Sequence, residues 1–198
     1  MAVSIKFEGL EAALKKLGGT QQKIEIGINY ELNAWATETV TLAKQNCPVD
    51  EGYLRNSISF NRSTLKDLRA EITVGASYGA YIEFGTRGYA AKYVNSLPKE
   101  WKDLAAKFKG GSGKKGSFYE FLLEIVLWVK RKGVAGTYSI KTQKRTGGKN
   151  KDAQDLAAAY PIAMAIIKKG IKPQPYLFPA VNETRAKLID RIKKVIES

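Results

Sequence analysis

The 198-residue chain contains no histidine and a single cysteine. Without histidine, every Ser–His or Cys–His nucleophile arrangement is excluded, as is any His-ligated metal site. Cys47 alone cannot form an intrachain disulfide or a multi-cysteine zinc site, and it fits a reducing compartment. Long apolar runs are also missing. The most apolar stretch, Phe118–Val129, spans about 12 residues where a membrane-spanning helix needs roughly 20. It also carries Glu120 and Glu124, so it reads as a buried or interface helix, and no membrane partner is expected. Residues 1–17 are amphipathic and lack the continuous apolar segment of a signal peptide.

What is present is the balance of a globular protein, with 44% hydrophobic and 26% charged residues. The length suggests one domain, or one with a large insertion, and suffices to bury a core without staples. The formal net charge of +14 admits a nucleic-acid partner, an acidic protein neighbour, or plain solubility. One local concentration stands out: Lys141, Lys144, Arg145, Lys149 and Lys151 share an acid-free loop. Such a loop could neutralise phosphates without reading sequence, or be a solvated surface loop. It has no aromatic on which bases could stack.

Periodicity supplies the elements. Leu10, Ala13, Leu14 and Leu17 predict a short helix over 8–17, closed by Gly18 and Gly19. Ile24, Ile28, Leu32, Trp35, Thr39 and Leu42 predict one long helix over 21–46, stopped before Pro48. A turn at 49–52 leads to a helical turn or strand ending near Arg62, then to a half-buried strand, Arg69–Gly75, as its hairpin partner. Tyr78–Phe84 fits two helical turns, and Leu97–Phe108 a helix with Pro98 in its first turn. Residues 109–116 read as a flexible linker. Ser117 is a candidate N-cap, with Glu120 completing a capping box, for a helix over 118–131. Val134–Ile140 is a candidate strand. A helix from Asp152 or Asp155 to Lys169 and a last helix over 179–197 follow, the latter with the stripe Val181, Leu188, Ile192, Val195 and Ile196. The expected fold is α+β: a small antiparallel sheet packed by a long N-terminal helix and a C-terminal helix, with a mainly helical insertion. Residues 1–86 and 152–198 are expected to form the core domain and 87–151 the insertion.

No catalytic constellation emerges. The pairs Asp50/Glu51, Glu120/Glu124 and Asp152/Asp155 have spacings that suit caps and solvated faces, whereas a two-metal nuclease needs carboxylates converging on one cavity. Gly111, Gly113 and Gly116 match GxGxxG but lack the preceding strand and following acidic residue of a dinucleotide site. Neither Gly113-Lys114-Lys115 nor Gly148-Lys149-Asn150 satisfies a P-loop. No catalytic residue, metal or cofactor is therefore expected. Tyr78, Tyr81 and Phe84 are either core packing beneath the sheet or an interface anchor.

Three short segments resemble one family. Pro48-Val49-Asp50-Glu51-Gly52-Tyr53-Leu54-Arg55-Asn56-Ser57-Ile58 follows the long helix. Tyr78-Gly79-Ala80-Tyr81-Ile82-Glu83-Phe84-Gly85-Thr86 comes next, and Pro173-Gln174-Pro175-Tyr176-Leu177-Phe178-Pro179-Ala180 precedes the last helix. In this order they resemble the tail-completion, or head–tail joining, family of long-tailed phages and prophages, typified by a minor tail component of a lambda-like coliphage. Against that pattern, Gly79 replaces the usual alanine and Tyr176 the usual phenylalanine, and Glu51 sits where a small hydroxyl residue is commoner. The resemblance covers residues 1–86 and about 156–198.

The resemblance implies a non-enzymatic virion component at the neck or top of the tail. It implies a ring, six-fold in the expected form, that contacts neighbouring neck and tail-tube proteins after assembly in the host cytoplasm. Double-stranded DNA passing through the lumen is a further candidate partner. Tyr78, Tyr81, Glu83, Phe84 and Thr86 are the subunit-interface candidates, with a Glu83 contact to a neighbour's Lys or Arg as the specific expectation. Pro48, Asp50, Gly52, Pro173, Pro175 and Pro179 are structural joints. A ring needs two different patches per subunit, and the long helix 21–46 is the candidate for the other. The alternatives are a non-sequence-specific DNA-binding module of the packaging or neck apparatus and a metal-dependent nuclease.

Overall fold

The computed structural model describes residues 1–6, 21–108, 118–137, 139, 141, 142, 144 and 150–197. The elements are β1 (Ala2–Lys6), α1 (Gln21–Asn46), α2 (Tyr53–Asn56), β2 (Ile58–Asn61), β3 (Arg69–Val74) and α3 (Gly79–Phe84), then α4 (Arg87–Asn95), α5 (Lys99–Ala106), α6 (Phe118–Lys132), α7 (Lys151–Lys169) and α8 (Leu177–Glu197). The fold is α+β, mostly helical, with one small antiparallel sheet. The helix expected over 8–17, the linker 109–116, the Ser117 cap, Arg145 and Lys149 lie outside the described residues. Two compact units divide the chain: residues 1–85 with 172–198, and residues 86–171. Residues 152–171, expected with the core domain, fall in the second unit.

In the first unit, β3 is the central strand. It pairs antiparallel with β1, placing Val3 opposite Ile72, and with β2, placing Phe60 opposite Ile72. Alternation sends Ala70, Ile72 and Val74 of β3 to one buried face, where α1 packs. The apolar stripe of α1 is buried at Ile24, Ile28, Leu32, Trp35 and Thr39. Its main partner is α8, through Val181, Leu188 and Ile192. Gly27 lets the two helices approach: a Cβ there would lie 2.5 Å from Val195 Cγ1.

A buried polar cluster fixes the register of α1 against α8. The Trp35 indole N–H donates to Thr184 Oγ1 at 2.9 Å, and the hydroxyls of Thr39 and Thr184 lie 2.7 Å apart. Each threonine also donates to a carbonyl one turn back, Trp35 for Thr39 and Ala180 for Thr184. At the surface, Arg191 reaches Glu38 at 2.7 Å and Glu31 at 3.8 Å.

In the second unit, α6 and α7 pack as a pair around Leu122, Val126, Val129, Ala159 and Ala163. The two alanines, one turn apart, leave room for Phe121, Ile125 and Trp128. Asp155 is fully buried and accepts the Thr137 hydroxyl, while Lys130 lies 3.8 Å from its other oxygen and 3.2 Å from Asp152. The strand expected over Val134–Ile140 is absent from the described residues there. Gly133 and Gly136 adopt φ of 64° and 69°, and their N–H groups close tight turns onto Lys130 and Gly133. Gly136 lies inside the expected span, and its left-handed backbone interrupts an extended run.

The two ends of this unit meet. The Thr86 N–H donates to the Ile171 carbonyl at 3.0 Å, and the Ile171 N–H donates to Thr86 Oγ1 at 2.8 Å. Gly170, at φ 89°, makes the approach possible, since a Cβ there would lie 2.5 Å from the Thr86 carbonyl oxygen.

Candidate functional site: a capped helix start and an aromatic patch

The first expected joint follows α1. Cys47 is buried, and burial pushes its thiol up from the ordinary range. Pro48 is half-buried and Asp50 exposed. Gly52 adopts φ 82°, a left-handed conformation that favours glycine, and its carbonyl accepts the Asn56 N–H as α2 begins. The Ser57 hydroxyl then donates to the Leu54 carbonyl and accepts the Ala76 N–H, tying this turn to the residues after β3.

The second and third expected segments meet within the first unit. The Gln174 N–H donates to the Ile82 carbonyl at 2.8 Å. Glu83 has no exposed surface. One carboxylate oxygen accepts the N–H groups of Tyr176 and Leu177 at 2.8 and 2.9 Å, and the other accepts that of Phe178 at 3.0 Å. The next residue, Pro179, has no N–H. A helix start leaves four orphan donors. Here three are satisfied by one carboxylate and the fourth is removed by proline. The negative charge also sits at the positive end of the α8 dipole. Burial pushes the Glu83 carboxyl up, and the three backbone donors pull against it.

This corrects the expectation that Glu83 meets a neighbouring subunit's Lys or Arg. The carboxylate is enclosed and committed to the start of α8, 93 residues away in sequence at its nearest N–H partner. Phe84 is likewise 4% exposed and belongs to the core, not to a free surface. Thr86 lies in the second unit, where it holds Ile171. Pro173 and Pro175 are half-buried in the lead-in to α8, with Tyr176 and Leu177 fully buried behind them.

Tyr78 and Tyr81 remain at the surface, 42% and 36% exposed. Their spacing of three puts them on one side of the α3 turn. Tyr53, which the sequence does not mark as an interface residue, joins them: its ring centroid lies 6.2 Å from that of Tyr78, and it is 62% exposed. Its place in the first motif, 25 positions before Tyr78, gives no local sign of this pairing. A second surface feature of the unit is a cavity of about 640 Å³ between α1, β2 and α8, lined by Tyr30, Phe60, Arg62, Glu38 and Arg191 among others.

Lys141 and Lys144 are exposed, and Lys151 is the half-buried first residue of α7. Among the described residues, no group of three or more Cys, Asp or Glu converges as metal ligands would, and no helix is long and apolar enough to cross a membrane.

No curated protein and no solved structure matches the chain. A family model does, over residues 8–85: the family described as "Bacteriophage HK97-gp10, putative tail-component". The match ends at the residue where the first segment of the first compact unit ends. Over α1, the sheet strands β2 and β3, and α3, the chain is therefore similar to a family of bacteriophage tail components.

Proposed function

We propose that the protein is a structural, non-enzymatic component of a tailed-phage virion that completes the tail at the head–tail junction by assembling into a ring. The observation that carries this reading is the phage tail-component match over residues 8–85, the segment that holds the exposed aromatics Tyr53, Tyr78 and Tyr81. Three tyrosines presented together offer large, rigid contact area at low ordering cost, the usual chemistry of an interface centre.

A ring requires a heterologous contact, with one patch meeting a different one on the next copy. The tyrosine patch supplies the first. The cavity between α1, β2 and α8 supplies the second, since its Tyr30 and Phe60 walls and its Arg62 and Arg191 guanidiniums suit an incoming aromatic ring. Glu83 contributes indirectly, by fixing α3 against the start of α8 and so positioning Tyr81.

Mass measurement of the purified chain tests the assembly, with a closed multimer expected and its loss expected in Tyr78→Ser/Tyr81→Ser. Reconstruction of the virion tests the location, because the reading fails if the chain is found away from the head–tail junction.

A further inference from the structure

We infer that the second unit, residues 86–171, carries a binding activity of its own for duplex DNA, made through the phosphate backbone. The observation is a partition of charge. This unit holds 18 of the 33 lysines and arginines but six of the 19 acids, a net charge of +12. The remaining residues hold 15 basic against 13 acidic side chains, a net +2. Nearly all of the excess positive charge therefore lies in the unit that the phage-family match does not cover.

The cations are placed to be used. Lys92 on α4, Lys102 on α5, Lys141 and Lys144 after α6, and Lys168 at the end of α7 are all exposed. They come from four separate segments, so the charge is a property of the unit and not of the 141–151 loop alone. Two of its six acids, Asp152 and Asp155, lie against Lys130. In the first unit, Arg191, Lys187 and Arg69 each lie against a glutamate, and the basic and acidic counts nearly balance.

The chemistry favours a phosphate backbone over an acidic protein. Of the 18 cations, 15 are lysines, compact point charges without the fork that arginine offers to carboxylates. Lysines spread over several segments suit a polymer that repeats its charge about every 1.7 Å and binds by releasing counterions. Such contacts position without reading sequence. This goes beyond the assembly reading and does not depend on it.

The test uses the full chain and a fluorescent duplex of arbitrary sequence. Expected is binding that weakens about a thousandfold between about 50 and 200 mM salt, as when about six phosphates are neutralised. Replacing Lys92, Lys102, Lys141 and Lys144 by glutamine should flatten the salt dependence, by about 0.9 in log–log slope for each phosphate no longer neutralised. Replacing the exposed Lys23, Lys66, Lys193 and Lys194 of the first unit should leave the slope unchanged. The inference is overturned by absence of binding at the low-salt end, by equal losses in the two variants, or by tighter binding to polyglutamate or to anionic vesicles than to the duplex. Ring assembly can fail while this binding stands, and the reverse, so the two readings are separable.

Discussion

The Tyr176 hydroxyl donates to the Gly79 carbonyl at 3.3 Å and fills the space that a side chain at 79 would need. A Cβ built on Gly79 would lie 2.9 Å from that hydroxyl and 2.8 Å from Val74 Cγ1. Both positions depart from the phage pattern, glycine for alanine and tyrosine for phenylalanine. Gly79→Ala is expected to cost about 1–3 kcal/mol through overpacking. In the Tyr176→Phe background the cost should fall, because the oxygen is gone, with a coupling of roughly 1 kcal/mol in a double-mutant cycle. Urea unfolding of the four proteins measures it, and additive costs would show that the two sites are independent.

Glu83 gives a pH signature whose sign follows from burial. Its carboxyl is pushed up in the folded protein, so the folded state holds the proton more tightly than the unfolded chain does. That contribution is complete below the unfolded value of about 4.3 and is lost as pH rises through the folded value. Glu83→Gln keeps an acceptor and does not ionise, so it should gain on the wild type as pH rises from about 4.3 towards neutrality. Glu83→Ala leaves three buried donors at the start of α8 and should cost about 3 kcal/mol or more at any pH. Denaturation series at several pH values report both, and a wild type that gains on the glutamine variant with rising pH would contradict the assignment.

Thr184 accepts the indole N–H of Trp35 and adjoins the Thr39 hydroxyl, all without solvent contact. Valine at 184 has the same shape but leaves the indole donor unpaired. Thr184→Val should cost about 1–3 kcal/mol, and its cost should be smaller in a Trp35→Phe background, where no indole donor is left unpaired. Thermal unfolding followed by tryptophan fluorescence in the single variant, and by circular dichroism in both, checks the order.

Much of this architecture is legible along the chain. The stripe from Ile24 to Leu42 gives α1 its observed bounds, because a sustained 3.6-residue period between a glycine pair and a proline has one solution. The alternation of Ala70, Ile72 and Val74 likewise gives β3 and its hairpin partner. Three features escape for physical reasons. β1 is five residues long and is followed directly by a helical spacing, so its alternation is masked. α4, Arg87–Asn95, has no fully buried residue and hence little periodic signal. The destination of Glu83 depends on a partner more than 90 residues away. An acid in an aromatic segment looks the same whether it faces a neighbour or the start of a helix.

The clasp between Thr86 and Ile171 means that the chain departs and returns through one doorway. Within the first unit, Ile82 and Gln174 are already hydrogen-bonded just inside that point. Residues 87 to 170 therefore leave from and return to neighbouring backbone positions. Replacing them by a short glycine-rich bridge should leave the first unit able to fold cooperatively, since the bridge need span only the ends of a closed loop. Segments of other sizes and charges could be carried at the same place. The assembly and the duplex binding proposed above can then be tested one without the other.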